Sequence, residues 1–267
     1  MKSSIKLYVK DMIKNPSYLF IVIGYLCITI NSIFKVKSSI LESDMPEEVV
    51  EFTFQYLFFT LIIGYFLFLV MTGISSIVVS DKLSGRCEML LANKVSIELL
   101  MRNYTITIFF LCVLPIFIYA VVILGIYSFS ELNEIMDKAW NVGNLFFVLG
   151  FFIFSLSLIK MIIYICLILK RVEIIRSILS FSSIGFLFIV MAPVNFLCNQ
   201  GWILTGYALA LAISAILIVL SVIFLLVILV MKKTIPMNVL CCHFGSKRVY
   251  IFIKCKKPSP LVRFFCM

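Results

Sequence analysis

Trp202–Val230 reads WILTGYALALAISAILIVLSVIFLLVILV, twenty-nine residues without one charge. About 20 apolar residues of helix cross a bilayer's hydrocarbon core. At ~1.5 Å per residue this run reaches roughly 40 Å, so it must tilt or project beyond the lipid. Five more apolar runs precede it, at 18–34, 53–79, 104–129, 142–169 and 178–197. The spacing predicts an all-α polytopic membrane protein with six transmembrane helices. An even number of spans puts both termini on one side.

Composition points the same way. Of 267 residues, 63% are hydrophobic and 13% charged, and mean hydropathy is +1.16. A soluble domain is about half apolar and about a quarter charged. One globule in water could not hide this much apolar surface. A soluble enzyme, a disordered chain and a disulfide-stapled secreted domain are improbable. The nine cysteines are odd in number and irregularly spaced, so no disulfide framework is expected.

Charge placement tests the six-span assignment. With both termini cytoplasmic, nineteen Lys and Arg fall on inner segments and three on outer ones, with Lys160 inside a span. Eight of the 13 acids lie outside. This asymmetry is the positive-inside pattern. It explains the net charge of +10 without any nucleic-acid partner. The expected location is a cell membrane, multi-pass, in a bacterial plasma membrane. Seventeen residues precede the first span and no small-residue cleavage site follows it, so it is expected to stay uncleaved.

Residues 1–17 form an expected interfacial elbow helix. Ile5, Tyr8, Val9, Met12 and Ile13 share one helical face, and Lys2, Lys6, Lys10 and Lys14 another. Such a segment lies along the inner leaflet with its lysines among anionic headgroups. Asn15-Pro16 ends it, because the residue before proline disfavours helical torsions. A solvated basic leader that only sets topology is the plainer reading.

The loop after the second span is the most informative segment. It reads SDKLSGRCEMLLANKVSIELLMRN from Ser80 to Asn103. Gly85 is expected to break the second helix and Asn93 to stop a short helix over 86–92. Ser96 is placed to cap the next helix, with Glu98 near its positive end. An amphipathic knob held below the membrane by two spans would dock in a partner's groove. A loop packed on its own bundle would satisfy the pattern equally well.

Together, Lys14-Asn15-Pro16, six spans and the loop Asp81-Lys82-Leu83-Ser84-Gly85-Arg86-Cys87-Glu88-Met89-Leu90-Leu91-Ala92-Asn93-Lys94-Val95-Ser96 resemble the permease subunits of type-2 ABC exporters. The family's loop commonly runs from an acid through polar residues to Gly, a Glu-Leu-Leu-like run and Pro-Val-Ser. Gly85, Glu88, Leu90, Leu91, Val95 and Ser96 match it. Lys94 departs from it, standing where proline is usual. Cys198–Gly201 is also short for the outer helical pair that many members fold there. The resemblance covers roughly residues 1–230.

It implies that Ser84, Gly85, Arg86, Glu88, Met89, Leu90, Leu91 and Val95 form the loop that couples to a separate ABC ATPase subunit, present in two copies. ATP and Mg would bind that partner, and this chain would bind no cofactor and catalyse no reaction. A second permease, identical or different, would complete an alternating-access exporter. Its substrate would be a hydrophobic peptide, an antibiotic or a lipid-like molecule. No GxxxxGK phosphate loop occurs in the chain, so hydrolysis would have to come from elsewhere. The alternative is a six-span channel or secondary transporter independent of ATP.

Three further features complete the reading. Lys160 is the sole charge within the predicted spans, and a central lysine costs about 2.5–3.5 kcal/mol on insertion scales. Either it lines a translocation path or its long stem snorkels to the interface. Gly206, Ala210 and Ser214 recur every fourth residue and would let helices approach closely, within one subunit or across a dimer seam. The tail 231–267 carries eight basic residues and no acid, and is expected to be disordered at the inner leaflet. Its Cys241-Cys242-His243 lacks a zinc spacing, so no metal is expected.

Overall fold

The computed structural model describes residues 8–10, 12–41, 46–93, 95–128, 142–169, 172–201 and 205–234. Among them the protein is helical throughout, with no strand. The long helices are α1 (Pro16–Leu41), α2 (Glu47–Ile74), α5 (Ile97–Ser128), α6 (Val142–Ile168), α7 (Val172–Asn199) and α8 (Gly206–Thr234). Between α2 and α5 lie a π-helical turn at Ser75–Val79 and two short helices, α3 (Ser80–Leu83) and α4 (Arg86–Ala92). Ahead of α1, residues 8–10 and 12–13 are helical, and the chain breaks at Asn15 before Pro16 opens α1.

Among the described residues, four helical stretches are long and apolar enough to cross a membrane: Val49–Leu83, Ile97–Val122, Val142–Ile168 and Gly206–Lys233. Two others carry shorter apolar stretches, Tyr18–Ser32 and Ile184–Asn199. Large side chains stand exposed around the bundle, among them Phe20, Phe110, Leu114, Phe188 and Leu229. Patches of that extent do not survive in water. A hydrocarbon surround removes the difficulty, so the protein is membrane-inserted.

Helix α2 is the hub, touching α1, α5, α6, α7 and α8. Ile62, Ile63, Tyr65, Phe66, Leu67, Leu69 and Val70 are all buried, so this stretch is covered on nearly every side. A helix apolar all round belongs in such a position. Aromatic rings lock it in place. Phe59 meets Phe147 with centroids 4.3 Å apart, and Phe66 meets Phe151 edge-on at 5.0 Å. On the other side Tyr65 stacks on Tyr25 at 4.8 Å and approaches Tyr119 at the same distance.

Several buried hydroxyls find partners inside the bundle, although that of Tyr164 does not. Tyr18 donates to the Leu111 carbonyl at 2.8 Å, and Thr29 and Tyr119 share a hydrogen bond. Ser155 and Ser221 each donate to the carbonyl four residues back. An unsatisfied polar group in hydrocarbon costs several kcal/mol, so these bonds are what make such residues tolerable.

The most extensive helix pair is α6 with α8. A Cβ added at Gly150 of α6 would lie 3.2 Å from the Ser214 carbonyl oxygen and 3.4 Å from its Cα. Ala210 and Ser214 are buried. Gly206, at the start of α8, faces Gln55 of α2, whose side-chain amide an added Cβ would meet. The small-residue row is thus occupied by α2 and α6 of the same chain. Gly150→Leu meets backbone that cannot rotate aside, and should cost about 1–3 kcal/mol. Gly206→Ala meets the movable end of a side chain and should cost less. Thermal unfolding in detergent would give the order, and equal losses would contradict the backbone contact at Gly150.

Candidate functional site

Asp81 and Lys82 sit in α3, which continues the line of the hub helix beyond the π turn, and both are buried. A carboxylate and an ammonium out of water need dense hydrogen bonding. Asp81 obtains it from three segments. The Tyr8 hydroxyl donates to its Oδ2 from the N-terminal helix. The Tyr104 hydroxyl donates to the same oxygen from α5 at 2.9 Å. Arg86, in the first turn of α4, donates to Oδ1 at 3.2 Å. Tyr104 gives its only proton to Asp81, so the Cys87 thiol, 3.3 Å away, is the donor of that pair.

Lys82 turns the other way, toward α6. Its Nζ donates to the carbonyls of Cys166 at 2.7 Å, Leu167 at 3.4 Å and Leu169. A helix leaves its last four carbonyls without intrahelical partners, and its C-terminus carries partial negative charge. A lysine from another helix therefore caps α6. Two consecutive residues join the N-terminal helix, α4, α5 and α6 at one point.

The chain reaches this point through the π turn at Ser75–Val79. A π turn closes its hydrogen bonds over five residues and shifts the face presented by everything after it. The same turn receives the N-terminal segment, where the Asn15 amide donates to Ser76 Oγ at 3.0 Å. Met12 lies beside Gly73. Tyr8, Met12 and Asn15 thus run along the last turns of the hub helix. Burial, and then the Asp81 carboxylate, push the Tyr8 hydroxyl up to about 12. Tyr8 is therefore a donor at neutral pH.

Beyond the junction, Gly85 adopts φ +71. Side chains pay heavily there, and glycine does not. The turn leads the chain into α4, which ends at Ala92, just before Asn93. The Val95 amide donates to the Leu90 carbonyl at 3.1 Å, closing the far side. Ser96 Oγ accepts from the Leu99 amide at 3.2 Å and caps α5. A turn, a short helix and a capped long helix follow one another as the sequence pattern predicts.

The sequence-selected residues divide into three groups. In the loop, Ser84, Arg86 and Met89 are exposed, Gly85 and Val95 are half-buried, and Leu90 packs against the bundle. The side chains of Glu88 and Leu91, and all of Lys6 and Lys94, lie outside the described residues, as does the tail beyond 234. In the N-terminal helix, Lys10, Lys14 and Pro16 are exposed, while Tyr8 and Met12 are buried against protein rather than turned to lipid. Lys160 is exposed on the flank of α6 that also bears Phe152 and Leu156.

Sequence reasoning passed over Asp81, Lys82 and Tyr104 as functional residues. The available signal was a pair of adjacent opposite charges, Asp81 and Lys82, at the very end of an apolar run. Among the described residues no group of His, Cys, Asp and Glu is arranged to hold a metal. No family model, curated protein or solved structure matches the chain.

Replacing Asp81 by Asn removes the charge on which two buried hydroxyls converge. Hydrogen bonds to charged groups contribute about 1.5–3 kcal/mol, and a loss of that size is expected in thermal unfolding. Arg86→Met should cost about 1 kcal/mol or less, because the Arg86 side chain is 44% exposed. If Arg86→Met proved the more damaging, the carboxylate would be held by the arginine and not by the tyrosines. Lys160 stands eight residues, ~12 Å, from the end of α6, within reach of a snorkelling stem. Lys160→Met should therefore leave the folded yield and the unfolding temperature unchanged, and a loss of either would show that the Lys160 side chain is held by the bundle.

Proposed function

We propose that the protein is the membrane-spanning permease subunit of an ATP-driven exporter of the type-2 ABC class. One observation carries this reading. A short helix, α4, is presented at the end of the bundle with Leu83 and Met89 exposed beside it, while its base is tied to three other helices through Asp81 and Lys82. A rigid apolar knob of this kind transmits a push. A loose loop would absorb it.

In this reading all six long helices cross the membrane, both termini are cytoplasmic, and the 80–96 region faces the cytoplasm of a bacterial cell. The distribution of Lys and Arg supports that orientation. The N-terminal helix lies at the inner interface, with Lys10 and Lys14 toward headgroups. Two ABC ATPase subunits dock against α4 and its counterpart in a second permease, identical or not. ATP and Mg bind those partners. This chain performs no chemistry, and its part is to reorient. The cargo is hydrophobic, of the peptide, antibiotic or lipid-like kind, because the interior offers aromatic rings and few charges.

The exposed residues are the proper probes, since Leu90 is engaged in the bundle. Leu83→Asp combined with Met89→Asp should abolish copurification with the ATPase while leaving the unfolding temperature unchanged. Undiminished association would remove α4 from the contact. Cargo movement by the purified chain in liposomes without nucleotide would overturn the exporter reading itself.

A further inference from the structure

A cleft of about 410 Å³ opens between α2, α5 and α6, at the end of the bundle remote from Asp81. Its walls are almost wholly hydrocarbon. Phe58, Phe59, Ile62, Ile116, Phe147 and Phe151 form the deeper part, and the exposed Phe117, Val148 and Phe152 flank the open side. Along α6 the lining runs from Asn144 to Phe152, eight residues or ~12 Å. Gln55 and Asn144 supply its polar side chains, and both lie toward the N-terminal ends of their helices. The cleft is therefore apolar along its length, and Gln55 and Asn144 mark the end nearer the membrane surface.

Three physical constraints select the occupant. Water needs two to four polar partners, which the deep part does not offer. An empty volume of this size would forfeit the dispersion contacts of its whole lining. The open side faces the medium that bathes the exposed flanks of α5 and α6, and that medium is lipid. We propose that the cleft is a binding site for one acyl chain of a membrane phospholipid, its ester end beside Gln55 and Asn144 and its methylenes against Phe59 and Phe151. The inference requires membrane insertion only and is independent of the exporter reading. A resident chain would complete the packing between α2, α5 and α6, the three helices that enclose it.

The test uses the full chain in nanodiscs containing phosphatidylcholine with a photoactivatable diazirine in mid-chain. Mass spectrometry then locates the labelled peptides. Labelling over 113–121 and 144–152 should exceed, several-fold per exposed residue, that of the lipid-facing flank at 219–230. Ala120→Trp fills the cleft and should abolish the excess while leaving the 219–230 signal intact. Val148→Trp narrows the open side and serves as a second variant should the first fail to fold. Three results would each overturn the proposal: labelling no stronger in the cleft than along 219–230, an excess that survives both tryptophans, or protein–protein cross-links showing a second copy seated over the opening.

Discussion

The structure depends on the solvation of one buried carboxylate. Asp81 lies in α3, beyond the π turn that follows the helix every other long helix surrounds, where neither water nor lipid can stabilise its charge. Two tyrosine hydroxyls converge on a single oxygen, and a half-exposed arginine takes the other. The tyrosines come from segments 73 and 23 residues away in sequence. Satisfying Asp81 therefore positions the N-terminal helix and α5 together. Its neighbour Lys82 performs the corresponding task for the end of α6. The π turn just before them sets the faces on which these adjacent side chains emerge.

This junction and the aromatic interior divide the work of holding the bundle. Away from the junction, packing is nearly all dispersion between rings and branched chains, as Phe59 with Phe147 and Tyr25 with Tyr65 illustrate. Lipid tails compete with such contacts on nearly equal terms, so close approach and shape decide helix pairing. Gly150 against Ser214 shows that close approach in α6 and α8. At the junction the forces are directional, and the geometry of α4 follows from hydrogen bonds. The bundle thus has a shape-filled body and an electrostatically braced end, and α4 hangs from the braced end.

Much of the local architecture is legible in the chain. The 3.6-residue period, the uncharged runs, the glycine before α4 and the serine before α5 each act within a few residues. The partners of Tyr8 and Met12 were not legible in the same way. Their periodicity says only that they share an apolar face. Protein and bilayer are both apolar, so periodicity cannot tell one from the other. Lys82 shows the same limit: a lysine at a span boundary reads as an ordinary interfacial anchor until α6 supplies its carbonyls.

By itself the sequence determined that the chain inserts in a membrane as helices, and where the long helices and the short α4 lie, because hydropathy and capping are local properties. Tertiary structure decided which helix occupies the centre, which small residues meet, that Asp81 and Lys82 join four segments, and that a cleft remains between α2, α5 and α6. These outcomes arise from side chains far apart in sequence meeting in space. Hydropathy is nearly uniform along the apolar runs, so no pattern within a run encodes its neighbours.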